Sequence, residues 1–175
     1  MKRLNPRTVS WIVVAAVFVV DFVTKRWVLA NQSKLIEGID VIDGIISFTY
    51  VRNPGAAFGM LPNARWVLTI VSILAVVGLS YLVSRKSTHG LKRIASTMIL
   101  AGAAGNLIDR LFYDGLVVDF VEFTFFEFPV FNVADMGVSV GAVVLVLSLL
   151  LERDEEAESA PTQDLVPGES DGRAE

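Results

Sequence analysis

Asp119 and Asp135 are the residues of this chain best placed to do chemistry. Asp119 lies in Leu116-Val117-Val118-Asp119-Phe120-Val121-Glu122-Phe123, with apolar neighbours on both sides. Asp135 lies in Phe131-Asn132-Val133-Ala134-Asp135, at the mouth of a long apolar run. Two carboxylates held close together cannot both ionise cheaply, so they share a proton. One member can then activate a water while the other polarises a carbonyl, which is the chemistry of an aspartic peptidase. An ordinary reading fits the residues equally well at this point: Asp119 as a surface residue in a short loop, and Asp135 as a helix-start residue favoured by the helix dipole. If the two do form a pair, the helix start favours charge on Asp135, while the apolar bracket of Asp119 keeps the shared proton there.

Other ionisable and amide side chains occur where an apolar chain needs a reason for them. Gly102, Asn106 and Asp109/Arg110 stack along one face of a helix, because residues three and four apart are neighbours. As a functional feature this is a wall facing substrate, with Asn106 bonding a peptide and Arg110 holding a carbonyl or phosphate. As a structural feature it is polar glue between helices, with Asp109 neutralising Arg110. Asp21 and Lys25 form an i,i+4 pair better suited to anchoring than to chemistry. Asn53 begins the run Asn53-Pro54-Gly55-Ala56-Ala57-Phe58-Gly59, whose small residues allow close backbone approach to a ligand, or simply make a turn. His89, the single histidine, falls in a basic loop and reads as a solvated residue. With no cysteine and one histidine, a thiolate nucleophile, a disulfide and a multi-histidine zinc site are all excluded, and no cofactor or metal is expected.

The elements that must position these residues are dictated by composition. Of the 175 residues, 53% are hydrophobic and 19% charged, too little polar surface for a water-soluble domain of this size. About 20 apolar residues at 1.5 Å each cross a hydrocarbon core of about 30 Å. Four runs meet or approach that length: 8–30, 64–85, 91–112 and 133–151, the uncharged stretch of the third ending at Asp109 and Arg110. The fold class is therefore a mainly α membrane protein, with four transmembrane helices and a small β-rich extracytoplasmic segment. A cleaved signal peptide ending at Val28-Leu29-Ala30 fits poorly, because Asp21 interrupts the apolar run and Lys25 and Arg26 precede the cut.

Lys2, Arg3 and Arg7 precede the first run, and Arg85, Lys86, Lys92 and Arg93 flank the second connection. The other connections, 31–63 and 113–132, carry only Lys34 and Arg52. Both termini are thus expected in the cytoplasm and both longer connections outside. The domain expectation is a membrane domain over 1–151, net charge +3, followed by an acidic tail over 152–175, net charge −7, whose composition predicts disorder. Within 31–63, the stretch Gly44–Val51 is rich in β-branched and aromatic residues and predicts a small sheet resting on the membrane. Residues 112–132 hold eight of the seventeen aromatics, a density suited to the headgroup level. Both segments are expected to touch lipid.

Taken together, five strings resemble one family in order and spacing: Asp21-x-x-Thr24-Lys25, Asn53-Pro54-Gly55-Ala56-Ala57-Phe58, Gly105-Asn106-Leu107-Ile108-Asp109-Arg110, Val118-Asp119-Phe120 and Phe131-Asn132-Val133-Ala134-Asp135. The family is lipoprotein signal peptidase, or signal peptidase II, the bacterial membrane aspartic peptidase, and the resemblance omits the acidic tail. It implies Asp119 and Asp135 as the catalytic pair. Asp21, Lys25, Asn53, Asn106, Arg110 and Asn132 are implied as surrounding polar residues, and Gly55, Ala57, Gly105 and Ala134 as small residues shaping the cleft. It also implies four transmembrane helices in the bacterial cytoplasmic membrane and an outward-facing site. The implied reaction is cleavage of the signal peptide just before a diacylglyceryl-modified cysteine, with prolipoproteins and membrane lipid as partners and no nucleic acid. Ala101, where the family often has glycine, and Met136, where a small residue is usual, bear on local packing and substrate preference.

The main alternative is a non-enzymatic four-helix transporter or assembly factor using Asp21, Asp109, Arg110 and Asp135 as an ion path. No internal repeat or pair of broken helices supports it. A metallopeptidase with Asp119, Glu122 and Asp135 as oxygen ligands lacks the histidine motif that zinc requires.

Overall fold

The computed structural model describes residues 4–55, 65–88 and 90–159, with side chains as far as Glu152. Its long helices form where the apolar runs lie: α1 over Pro6–Ala30, α3 over Arg65–Ser84, α4 over Gly90–Phe112 and α5 over Val133–Ser159; α2 is a single turn at Gln32–Leu35. α1 begins two residues before the predicted run because Asn5 accepts a hydrogen bond from the Arg7 N–H at 3.0 Å and Pro6 supplies a preformed first-turn φ. At the other end α5 continues past 151 through the Glu/Ala-rich sequence to Ser159, so the start of the acidic tail is helical rather than disordered. An ion pair of 2.7 Å between Lys92 and Glu152 joins that extension to the start of α4.

α4 is the central helix and packs against α1, α3 and α5. Its contact with α5 is close because glycines face backbone. A Cβ on Gly102 would run into the Ala134 carbonyl oxygen, and one on Gly141 would stand 2.8 Å from the Ala95 carbonyl oxygen. α3 and the first 20 residues of α5 are long and apolar enough to cross a membrane. The connection between α3 and α4 is drawn shut by the buried Arg93, whose guanidinium donates to the carbonyls of Val83 and Arg85, each at 2.8 Å, and to that of Thr88.

Three antiparallel strands, β1 (Ile39–Ile42), β2 (Ile46–Asn53) and β3 (Val117–Phe123), form a sheet in the order β1-β2-β3. The expected sheet in 31–63 supplies β1 and β2. The third strand comes from the aromatic segment and was not anticipated as a strand. Gly115, at φ +81° after the C-terminus of α4, turns the chain into β3. A core of Val28, Leu35, Val118, Phe120 and Val121 joins the sheet to the end of α1, while Val14, Val83, Leu100 and Ala101 form a second core between the helices.

Candidate active site

One pairing decides where the two aspartates go. β2 pairs with β3 so that Val51 faces Asp119 and Asn53 faces Val117, which brings the last residue of β2 next to the middle of β3. The chain leaves β3, loops through the phenylalanines and returns, with Phe131 bridged to Val121 by hydrogen bonds of 2.8 and 3.0 Å. That return puts Asn132 beside Asp119 and starts α5 at the next residue, with Asp135 in its first turn.

Asn132 and Asp135 close a reciprocal cap. The Asn132 Oδ1 accepts from the Asp135 N–H at 2.9 Å, and the Asp135 Oδ2 accepts from the Asn132 N–H at 3.2 Å. A cap of this kind satisfies two orphan donors of a helix start and fixes the carboxylate at its third position. The Asn132 Nδ2 donates to Asp119 Oδ1 at 2.6 Å, to Asn106 Oδ1 at 3.1 Å and to the Val118 carbonyl at 3.2 Å. Asn53 Nδ2 donates to Asp119 Oδ2 at 2.9 Å, and Asn106 Nδ2 donates to Asp135 Oδ1 at 2.8 Å. All four carboxylate oxygens of the pair therefore accept an N–H.

The Asp119 carboxyl is pushed up to about 7, chiefly by burial and next by the nearby charge of Asp135, against the opposing hydrogen bonds from Asn53 and Asn132. Burial disfavours the charged form and a like charge adds to it, the direction expected from the apolar neighbours of Asp119 in the sequence. Both aspartates line a cavity of about 490 Å³. Its polar end is made by Asn53, Gly55, Asn106 and Arg110; its apolar end by Phe123, Phe128–Phe131 and the Met136–Val140 face of α5.

Arg110 reaches this cavity, with Nη2 lying 3.4 Å from the Gly55 carbonyl and Nη1 3.5 Å from Ser72 Oγ and from the Asn106 carbonyl. Its buried Nε has no hydrogen-bond partner among the described residues. A guanidinium held by contacts this long keeps donors free for an incoming carbonyl oxygen.

Behind the pair sits a buried charge cluster. Lys25 Nζ lies 2.8 Å from Asp21 Oδ2, 3.0 Å from Asp109 Oδ2 and 2.9 Å from Asn106 Oδ1. Asp21 Oδ1 accepts from the Ala134 N–H at 2.8 Å, and Asp109 Oδ2 from the Val118 N–H at 3.1 Å. The expected neutralisation of Arg110 by Asp109 is thus corrected: Asp109 pairs with Lys25 and holds the start of β3, because its side chain turns toward α1 while Arg110, one residue on, turns toward α3. Gly105 leaves the space that Asp21 occupies, since a Cβ there would stand 2.5 Å from Asp21 Oδ2 and 3.1 Å from the Ala134 Cβ.

The structure therefore brings Asp21, Lys25, Asn53, Gly55, Gly105, Asn106, Arg110, Asn132 and Ala134 around Asp119 and Asp135. Ala57 and His89 lie outside the described residues. Sequence reasoning missed the part of Asp109 in the charge cluster, the contact of Ser72 with Arg110 and the return at Phe131. The apolar and β-branched run Leu116–Val121 was a signal for β3; nothing local signalled the partners of Asp109 or Ser72.

The family model for signal peptidase (SPase) II matches residues 13–151. The lipoprotein signal peptidase of Symbiobacterium thermophilum is 48% identical over 136 residues, covering 76% of this chain and 88% of the relative. That of Shewanella loihica is 45% identical over 160 residues, covering 85% and 89%. Among solved structures, a bacterial membrane enzyme determined in meso at 2.3 Å resolution superposes with a TM-score of 0.76 at 29% identity, covering 89% of this chain and 94% of the other. A second, at 1.9 Å, gives 0.71 at 31% identity, covering 82% and 93%.

Proposed function

This chain belongs to the signal peptidase II family, and from that premise we propose that it is an aspartic endopeptidase in which Asp119 and Asp135 are the reacting pair. It removes the signal peptide from prolipoproteins, cutting before the lipid-modified cysteine, and nothing in the similarities favours a transporter or assembly factor. The observation that carries the dyad is Asn132. One residue donates to both carboxylates, through its amide to Asp119 and through its backbone to Asp135, at the wall of one cavity.

The cycle starts with Asp119 protonated and Asp135 ionised. Asp135 takes a proton from a water in the cavity as its oxygen attacks the scissile carbonyl carbon, and Asp119 gives its proton to the carbonyl oxygen. The free donors of Arg110 hold that oxygen as it gains negative charge. When the tetrahedral intermediate collapses, the C–N bond breaks, Asp135 protonates the leaving amine and Asp119 recovers its proton from the new hydroxyl. Asn53, Asn106 and Asn132 hold the two carboxylates in place, and Asp21, Lys25, Gly55, Gly105 and Ala134 support them.

The topology that goes with this reading has four spans, about 8–30, 64–85, 91–112 and 133–151, in the bacterial cytoplasmic membrane. Both termini and the tail 152–175 are cytoplasmic, and segments 31–63 and 113–132 with the site face outward against membrane lipid. Exposed Trp27, Trp66 and Phe112, at the ends of α1, α3 and α4 nearest the sheet, support an aromatic belt at that level. Purified protein incubated with a diacylated and an unmodified precursor tests the activity. Chelator-insensitive cleavage of the diacylated form alone is expected, and cleavage of neither form overturns the reading. Cysteines introduced at 38 and 88 test the orientation, with labelling from outside expected at 38 and not at 88.

A further inference from the structure

The three amides that face the dyad differ in what fixes their orientation. An amide can turn its oxygen or its nitrogen toward a partner, and only a donor without a lone pair settles which. Asn53 is settled by the Gly55 N–H on its Oδ1 at 2.9 Å, and Asn132 by the Asp135 N–H on its Oδ1 at 2.9 Å. Both locks are backbone. Asn106 alone is settled by a side chain, the Lys25 ammonium on its Oδ1. The second contact to that oxygen, from Asn132 Nδ2, does not compel it, because the two protons of Nδ2 have three acceptors and the nearest is Asp119. Lys25 for its part has no freedom: its three protons meet Asp21, Asp109 and Asn106, and both carboxylates are pinned by backbone N–H groups of α5 and β3.

We propose that Lys25 is a positioning residue for Asp135 that acts through Asn106, its ammonium compelling the amide to present Nδ2, and never Oδ1, to the Asp135 carboxylate. This rests on the reading of Asp119 and Asp135 as the reacting pair. Without the ammonium the amide can turn its oxygen to Asp135 Oδ1. Two oxygens then face each other, and the carboxylate either swings off its line to the water or holds a proton between them. In both cases it no longer serves as the base. The charges around Asp135 in this arrangement are Lys25 and Asp21 from α1, Asp109 and Arg110 from α4, and Asp119 from β3.

The experiment compares Lys25→Met, Asn106→Ala and the double variant on a diacylated precursor, with Asp135→Asn alongside. Each single change is expected to lower kcat by about 100-fold, the cost of displacing a reacting group by about an ångström, with KM within about twofold. The double variant is expected to be no slower than the slower single one, because the two act on one carboxylate in series. Losses that multiply, or that fall on KM, overturn the proposal. Should Lys25→Met fail to fold with Asp21 and Asp109 left unpaired, the near-isosteric Asn106→Asp takes its place. It presents a donor to Asp135 only while the new carboxyl carries its own proton and Asp135 stays ionised, so the rate optimum should move at least about one pH unit to the acid side, below the pKa of that carboxyl. A lowered rate with an unmoved optimum overturns the proposal. Near-normal turnover by Asp135→Asn would instead overturn the dyad itself.

Discussion

α3 and α4 are of similar length and lie against each other, yet they are built on opposite rules. α3 reads as a membrane helix at once, apolar on every side, and buries only Thr69 and Val83. α4 fails the same test of composition and buries ten residues, among them Arg93, Asn106 and Asp109. The difference teaches what hydropathy measures in such a protein. It marks the helix that the rest of the chain leaves mostly uncovered, where a polar group in a membrane would have no partner. It passes over the helix at the centre, where polar groups are satisfied by the end of α3 and the connection after it for Arg93, and by α1, β3 and the start of α5 for Asn106 and Asp109. Charge inside the bundle is costly and calls for partners, which Lys25, Asp21 and Asp109 find in one another.

The sharpest way to break this contrast is to remove function from the polar side alone. Asp119→Asn and Asp135→Asn should each lower cleavage of a diacylated precursor by about three orders of magnitude or more, since neither carboxylate can serve as both acid and base. Leu74→Ala on the exposed face of α3 should stay within about twofold. A loss from Leu74→Ala comparable to that of the dyad variants would end the distinction.

Glycines test it next. Gly102→Ala drives a methyl group into the Ala134 carbonyl, displacing the first turn of α5 and with it Asp135; a loss of about 1–3 kcal/mol of stability and about 100-fold in rate is expected. Gly78→Ala on α3 meets nothing within 4 Å, and the better helix former should raise stability by up to about 1 kcal/mol. Thermal unfolding in detergent reads both.

A smaller effect is expected at Asp109. Asp109→Asn keeps an acceptor for the Val118 N–H and weakens only the tie to Lys25, which retains Asp21. Activity should fall roughly tenfold, the equivalent of about one charge-assisted hydrogen bond, and stay well above that of the dyad variants.

The smallest effect is one of stability against pH. The Asp119 carboxyl is raised from 3.8 to about 7 in the folded protein, so the fold binds this proton more tightly than the unfolded chain does. The associated stabilisation is complete below about pH 3.8 and is lost as pH rises to about 7. Asp119→Asn carries no such loss. Its melting temperature relative to the parent should therefore be higher by a few degrees at pH 8 than at pH 5, and an unchanged difference would remove Asp119 as the proton carrier.

Much of the site was legible because polar residues in apolar surroundings are conspicuous. Asp119 between valines and phenylalanine, and Asp135 at the mouth of a long apolar run, announced themselves by cost. Helix positions followed from apolar length, with ends that moved where capping residues decided them, as at Asn5 and Pro6. Register was not legible. Nothing within a few residues of Asp109 says that its carboxylate turns to Lys25 on another helix rather than to Arg110 beside it. The same holds for β3. Its sequence permits a strand, but the strand's place beside β2 and the return at Phe131 depend on pairing partners more than sixty and about ten residues away.

The hydrogen bond from the Ala134 N–H to Asp21 spans a sequence separation of 113 residues, and this sets a clock on the enzyme's birth. Asp21 and Lys25 are made as an i,i+4 pair that offsets its own charge, long before the ribosome has made Asp109. Asn132 and Asp135 belong to the cap and first turn of α5. Until that helix arrives Asp119 has no partner carboxylate, and its Oδ1 has lost its amide donor. Until α5 is made, the chain therefore lacks the arrangement of Asp119, Asn132 and Asp135 on which the proposed cleavage depends.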